Sequence, residues 1–406
     1  MIFDKLKQHK KIIENFSYLS VLQILSLITP LITYPYLVRT LGEIMYGTVV
    51  FAQAVVAYFN ILVVFGFNFT AARDVSLHRD NPKKLCEIIS AVTIIKTLFL
   101  IISLLLISCY MFYTPKMDYS LYYLSFWICM NEILFPTWFF QGIEEMKYIT
   151  FINLGIRVLL IGMIFIFIKS PNDYLFFPLL NGIGAFLAGV ISFSLLYKKY
   201  KLQIVRVPLK TLIKYVKSSY HLFISNVSIQ IYVNANKIII GHFLGMREVT
   251  YYDLAEKITN MGKVPQSMIS QVLYPKISLE KNSVFLRKVL KGSIFMNVFL
   301  YLIVFLFSNQ IVAYFGGNEM VLRILFLTVP IIGISNVLMV LTLLPFGYNK
   351  AFTKIVFLSA FFYSLIILIL YGFDEISLYT LTATNVLVEL IVSIIAFIYT
   401  RKNKLL

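Results

Sequence analysis

Charge is what this chain has least of. Asp, Glu, Lys and Arg make up only 14% of its 406 residues, while 59% are hydrophobic. Soluble domains carry about 25% charged residues, so an ordinary water-soluble globule is excluded and an integral membrane protein is implied. Acidic residues are scarcer still, 19 against 36 Lys and Arg. Three cysteines, Cys86, Cys109 and Cys129, form neither a metal-ligand spacing nor a disulfide framework, and they are read as packing residues. Four histidines, His9, His78, His221 and His242, show no ligand grouping. There is no nucleophile–base arrangement and no phosphate-cradling glycine loop, so neither an enzyme nor a cofactor is expected. No cleavable signal peptide is expected, because the first residues lack an apolar core before a small-residue cleavage site. Ile2, Phe3, Leu6, Ile13 and Phe16 suit a short amphipathic helix at the membrane surface.

Long apolar stretches, in contrast, are abundant. A membrane-crossing helix needs about 20 mainly apolar residues. Stretches of that kind predict twelve spans, over 16–37, 47–70, 88–112, 120–141, 149–168, 175–197, 219–243, 250–274, 292–314, 321–345, 352–371 and 378–400. An even number places both termini on one side. With the N-terminus cytoplasmic, the outer segments hold only Arg39, Lys116, Lys169, Arg247 and Arg323. The spans hold Lys96, Arg157, Lys237, Lys257 and Lys263, and every other Lys and Arg is on the inner side. Basic residues concentrate on the cytoplasmic side of membrane proteins, so both ends are expected in the cytoplasm. The net charge of +17 then reflects topology and attraction to anionic membrane lipids, not nucleic-acid binding.

The few charges inside spans gather on two neighbours. The seventh span places Asn226, Gln230, Asn234 and Lys237 on one helical face, and the eighth does the same with Asp253, Glu256, Asn260 and Lys263, Lys257 lying beside them. A charge at mid-membrane costs about 2.5–3.5 kcal/mol on insertion scales, and one Leu or Ile returns only about 0.3–0.6. Such helices are stable only where their polar faces meet water or other polar groups. Weaker versions occur in the first half: Gln23 with Ser26, Gln53 with Asn60, and Asn153 with Arg157. Two readings follow. Either an aqueous cavity uses its cations to hold an anionic group and its carboxylates to bind a coupling ion, or the set is interhelical polar glue. Lys96, Glu132 and Glu389 stand isolated nearer span ends, where snorkelling suffices. Trp138 and the tyrosines suit an interfacial belt, and Pro30, Pro35 and Pro265 are candidate kinks.

The halves also resemble each other. With Leu41-Gly42 laid on Leu244-Gly245, Gly47 falls on Thr250, Ala52 on Ala255, Gln23 on Asn226, Gln53 on Glu256 and Asn60 on Lys263. A parallel repeat of six spans per half is expected. The expected fold is all-α: residues 1–200 form an N-lobe, 201–218 a basic cytoplasmic linker and 219–406 a C-lobe, around a central cavity.

Specific runs then carry a family resemblance. Thr137-Trp138-Phe139-Phe140-Gln141-Gly142-Ile143-Glu144, Leu41-Gly42 with Tyr46-Gly47, and Ala72-Arg73-Asp74 are involved. So are Asn236-Lys237, Leu244-Gly245 and Tyr252 with Ala255-Glu256-Lys257. Together they resemble the bacterial O-antigen and capsule repeat-unit flippases of the multidrug/oligosaccharidyl-lipid/polysaccharide exporter superfamily. The resemblance implies alternating access between two lobes. The implied cargo is an undecaprenyl-diphosphate-linked oligosaccharide, moved from the inner to the outer leaflet of the bacterial cytoplasmic membrane. Other polysaccharide assembly proteins are the expected partners. With no ATP-binding motif, energy is expected from an ion gradient, the membrane potential or the cargo gradient. Lys237, Lys257, Lys263 and Arg157, with Gln53, Asn60, Gln230, Asn234 and Asn260, are the candidate cargo-binding residues. Asp253 and Glu256 are candidates for coupling to H⁺ or Na⁺, and Arg73-Asp74 for a local ion pair, a lipid contact or an inner gate. The rivals are a multidrug/cation antiporter of the same superfamily and, more distantly, a membrane glycosyltransferase, for which the short outer loops leave no catalytic room.

Overall fold

The computed structural model describes residues 2–113, 118–403 and 405. The side chains of the expected surface helix (Ile2, Phe3, Leu6, Ile13 and Phe16) and Lys116 lie outside the described set. All regular structure among the described residues is helical: α1 (Ile2–Val64), α2 (Phe67–Leu77), α3 (Pro82–Phe112), α4 (Tyr119–Ser125), α5 (Trp127–Leu134), α6 (Thr137–Gly142), α7 (Met146–Phe167), α8 (Phe176–Lys198), α9 (Leu209–Phe243), α10 (Met246–Glu280), α11 (Ser283–Phe315), α12 (Glu319–Phe326), α13 (Thr328–Leu338), α14 (Asn349–Gly372) and α15 (Leu378–Lys402). A single π-helical turn, Met339–Leu343, follows α13.

Eight helical segments among the described residues are long and apolar enough to cross a membrane. One of them, Ser20–Leu77, has 58 residues. At about 1.5 Å per residue that is far more than one bilayer thickness, and it covers the first two expected spans. The chain is thus an all-α, multi-pass membrane protein, and the remaining helices are compatible with twelve spans. Leu105 and Leu106 of α3, Phe295, Phe299 and Leu306 of α11, and Phe361 and Leu368 of α14 are exposed. Apolar side chains of this kind on the outside of a bundle suit lipid contact rather than water.

Two compact units make up the chain. The first comprises Met1–Met45 and Ala52–Asn226, the second Tyr46–Phe51 and Val227–Leu406. Tyr46–Phe51 belongs to the second unit because Gly47 lets α1 approach the start of α10. A Cβ on Gly47 would lie 1.8 Å from the Met246 carbonyl oxygen, so no side chain fits there. The two Leu-Gly pairs adopt one conformation: Gly42 has φ 78°, ψ 159°, and Gly245 has φ 117°, ψ 174°. Only glycine visits that region without strain, so each pair ends one helix and starts the next. Pro30, Pro35 and Pro265 lie inside continuous helix, and the break in α1 falls at Gly42.

In the first unit, the run Thr137–Glu144 is a packing device. Trp138, Phe139 and Phe140 of α6 are fully buried among Phe67, Ile88 and Ile149, so Trp138 is a core residue and not part of an interfacial belt. Gly142 brings α6 against α2, where a Cβ would sit 2.6 Å from the Ala72 carbonyl oxygen. Lys96 is also not a snorkelling residue. It is 1% exposed and its Nζ donates to the Glu132 carbonyl at 3.0 Å and to Oε2 at 3.2 Å. Two of the three isolated charges of the sequence, Lys96 and Glu132, are therefore an α3–α5 ion pair with a buried lysine.

Between α6 and α7, Glu145 accepts from Lys199 Nζ at 2.8 Å, and that ammonium also meets the Tyr148 and Tyr200 hydroxyls. Burial alone would raise the Glu145 carboxyl, but the hydrogen bond and charge of Lys199, with Lys147 nearby, hold it below the usual carboxylate range. A depressed carboxylate contributes stability above its unfolded pKa and loses it as pH falls through the folded one. Glu145→Gln is therefore expected to lower the melting temperature slightly at neutral pH, by about 1 kcal/mol or less. The difference from wild type should vanish in acid. A thermal-shift series across pH checks this, and a gap that widens in acid would overturn it.

Candidate functional site

The polar faces of α9 and α10 converge within the second unit. Lys237 of α9 sits between two carboxylates of α10, with Nζ 2.9 Å from Asp253 Oδ1 and 2.6 Å from Glu256 Oε2. Lys257, one turn beyond Asp253, pairs with the other Asp253 oxygen. The Tyr46 hydroxyl closes the group, donating to Asp253 Oδ2 at 3.0 Å and accepting from Lys257 Nζ at 2.6 Å. Two ammonium groups thus face two carboxylates, and the cluster is formally neutral. The Asp253 side chain is only 4% exposed. Buried charges persist only when paired and hydrogen-bonded in this way.

A second, uncharged network flanks it. The Asn236 amide donates to the Tyr252 hydroxyl at 3.1 Å and to the Leu381 carbonyl at 3.1 Å, and accepts from the Tyr363 hydroxyl. Asn385 donates to the Tyr252 hydroxyl at 2.6 Å. α9, α10, α14 and α15 are therefore tied at one point, which fixes the rotation of α9 that aims Lys237 at α10.

Farther along α10, Lys263 donates to Asn260 Oδ1 at 3.1 Å and makes no ion pair among the described residues. It lines a cavity of about 90 Å³ with Glu256, Thr259, Asn260, Asn385 and Glu389. Glu389 is the residue the sequence concealed. Its single position on α15 shows no polar stripe, and only the packing of α15 on α10 brings it to Lys263.

The other candidates are more dispersed. Asn234 donates to Gln230 one turn away on α9. In the first unit, Gln53 Nε2 and Asn60 Oδ1 are buried without a hydrogen-bond partner among the described residues. Arg157 of α7 is half-buried and has no ion-pair partner among them. Arg73 pairs with its own neighbour, Asp74, at 3.2 Å, the arginine largely exposed. Among the described residues no group of His, Cys, Asp and Glu is placed to hold a metal ion.

Chemically, the second unit offers a closed ionic cluster beside a small polar cavity holding an unpaired cation. The sequence profile of the polysaccharide biosynthesis protein family matches residues 12–281. A chain from Escherichia coli strain K12 described as "Putative O-antigen transporter" is 28% identical over 409 residues, covering 97% of each chain. Among solved structures, the lipid II flippase MurJ in an inward closed conformation superposes with TM-score 0.72 at 14% identity, over 93% of this chain and 87% of that one. An inward-facing multidrug resistance MATE family transporter of the MOP superfamily gives 0.69 at 14% identity, over 93% and 98%. A family match spanning well over half of the residues, on a fold shared with MOP-superfamily transporters, means that the chain belongs to the polysaccharide biosynthesis protein family.

Proposed function

We propose that this protein is a flippase that carries undecaprenyl-diphosphate-linked oligosaccharide repeat units from the inner to the outer leaflet of the bacterial cytoplasmic membrane. Its two six-helix halves work by alternating access, with both termini in the cytoplasm and an H⁺ or Na⁺ gradient as the driving force. The similarity to the E. coli chain over nearly its whole length supports the cargo class. The observation that carries the reading is Lys263: an ammonium beside a polar cavity, with no carboxylate paired to it. A diphosphate needs such partners, because charge-assisted hydrogen bonds in a low-dielectric site are the strong ones.

Arg157 is the corresponding uncommitted cation of the first unit, with Gln53 and Asn60 as amides able to meet sugar hydroxyls. Lys237 and Lys257 are already neutralised by Asp253 and Glu256. They serve the cargo only when that cluster rearranges, which makes it a switch element more than a docking point. Arg73-Asp74, at the inner end of α2, is assigned to the inner gate.

The test is restoration of surface polysaccharide in a host lacking its own flippase. A lost charge-assisted contact is worth about 1.5–3 kcal/mol, or roughly 10–100-fold in affinity. Lys263→Ala and Arg157→Ala should therefore each cut export at least tenfold at unchanged protein abundance. Neither substitution breaks an ion pair seen in the structure, so folding should survive. Wild-type export by both variants sinks the site assignment; no restoration by the wild-type chain sinks the function.

A further inference from the structure

Three cavities in the second unit abut through shared side chains. The smallest, about 90 Å³, is lined by Lys263, Thr259 and Glu389 among others. Glu389 also lines a cavity of about 240 Å³ together with Ser335 and Asn336. Asn336 in turn lines a third, of about 480 Å³, with Ser270 and Gln271 near the C-terminal part of α10. The string thus runs from Lys263 to the stretch of α10 that faces the cytoplasm in the proposed topology. It passes the π-helical turn Met339–Leu343, where the regular α13 helix gives way; turns of this type recur at functional sites.

Hydroxyls and amides line every stage, the partners that ordered water requires. At about 30 Å³ per water, even the smallest cavity has room for two or three. Thr259 points to a polar occupant as well. The residue lines the smallest cavity and is 1% exposed, and its buried hydroxyl has no hydrogen-bond partner among the described residues.

Glu389 and Lys263 face this cavity from opposite helices without reaching ion-pair distance. The other titratable groups on the same cavity are Glu256, already held by Lys237, and Tyr252, held by Asn236 and Asn385. α12, α13 and α14 bring only uncharged side chains to the cavities that Glu389 lines. The ionised form of Glu389 therefore depends on one uncommitted cation.

We propose that Glu389 is a proton-binding site filled through this string of cavities, and that a phosphate group engaging Lys263 drives the uptake. The inference rests on the reading of Lys263 as an anion-binding residue. An anion on Lys263 removes the counter-charge of the Glu389 carboxylate and places a like charge beside it. Both changes favour the neutral carboxylic acid. Linkage is reciprocal, so a proton on Glu389 strengthens anion binding by the same factor. The proton comes from cytoplasmic water, and no other bond changes; a proton carried outward with the anion moves against an H⁺ gradient, so this coupling goes with Na⁺ as the driving ion.

Infrared difference spectroscopy of the purified protein in liposomes, with inorganic diphosphate as the probe, tests this. Wild type should gain a protonated-carboxyl C=O band on diphosphate addition. Glu389→Gln should lose that band, Glu389→Asp should keep it at a shifted frequency, and Asn336→Val should slow its appearance without lowering its final amplitude. A band that persists in Glu389→Gln, or its absence in wild type that binds diphosphate, overturns the proton site and leaves the flippase reading intact. Calorimetry in parallel separates the failures: no diphosphate binding by wild type removes the anion role of Lys263, and the coupling with it.

Discussion

Replacing Asp253 by alanine is expected to destabilise the second unit by about 3–5 kcal/mol, because it leaves two ammonium groups in a largely buried site with one carboxylate between them. Lys237 would keep Glu256 but lose its other carboxylate, and Lys257 would lose the carboxylate one turn before it. For a unit of this size one kcal/mol is worth about 2–4 °C in melting temperature, so the midpoint should fall on the order of 10 °C. Removing both signs together is a different matter. A Lys237→Met, Lys257→Met, Asp253→Leu, Glu256→Gln variant deletes the whole ionic set, and well-packed apolar replacements of buried ion pairs are often neutral or stabilising. That variant should melt near wild type while losing export. Its recovery separates two roles of the cluster, holding the helices together and rearranging during transport. Equal melting of Asp253→Ala and wild type, measured on purified protein in detergent and in liposomes, would show that the cluster carries little energy.

The extent to which this site was visible in the amino-acid order follows from what periodicity encodes. Spacing along one helix determines which side chains share a face, so Asp253, Glu256, Asn260 and Lys263 were legible as a stripe on α10. Hydropathy likewise marks apolar spans, and the repeated Leu-Gly pair marks both helix breaks, at Gly42 and Gly245. Spacing carries no record of which other helix a face meets. Glu389 and Lys263 are far apart in the chain, and a lone acid on α15 has no period. Lys96 and Glu132 look unrelated for the same reason, though α3 and α5 bury them against each other. Trp138 misled through composition: an aromatic near a span end suits a membrane interface, and only the close approach of Gly142 to α2 turns α6 inward.

Asn236 shows how an uncharged residue can control a charged site, and Asn236→Leu is expected to cost about 3 kcal/mol while removing no charge. The residue is fully buried. Leucine has the same number of side-chain heavy atoms and is bulkier, so no cavity opens, and the cost is of lost hydrogen bonds plus some overpacking. The bonds from Asn236 to the Leu381 carbonyl and to the Tyr252 hydroxyl and the one from the Tyr363 hydroxyl would be lost, although the Leu381 carbonyl keeps its helical partner and the Tyr252 hydroxyl its bond from Asn385. Each such hydrogen bond contributes about 0.5–1.5 kcal/mol, so the loss of three comes to about 3 kcal/mol. Tyr363→Phe should cost less, since it removes one of the three Asn236 hydrogen bonds. Combined with Asn236→Leu it should add little, because both act on one bond, and contacting residues are non-additive. The functional consequence travels through the backbone. Lys237 is the next residue on α9, so a helix released from α14 and α15 at Asn236 no longer aims its neighbour between Asp253 and Glu256. Export by Asn236→Leu should therefore fall more than that of a control of equal melting temperature destabilised elsewhere in the second unit. If instead the two export alike, Asn236 contributes stability only, and the aim of Lys237 is set by α10 alone.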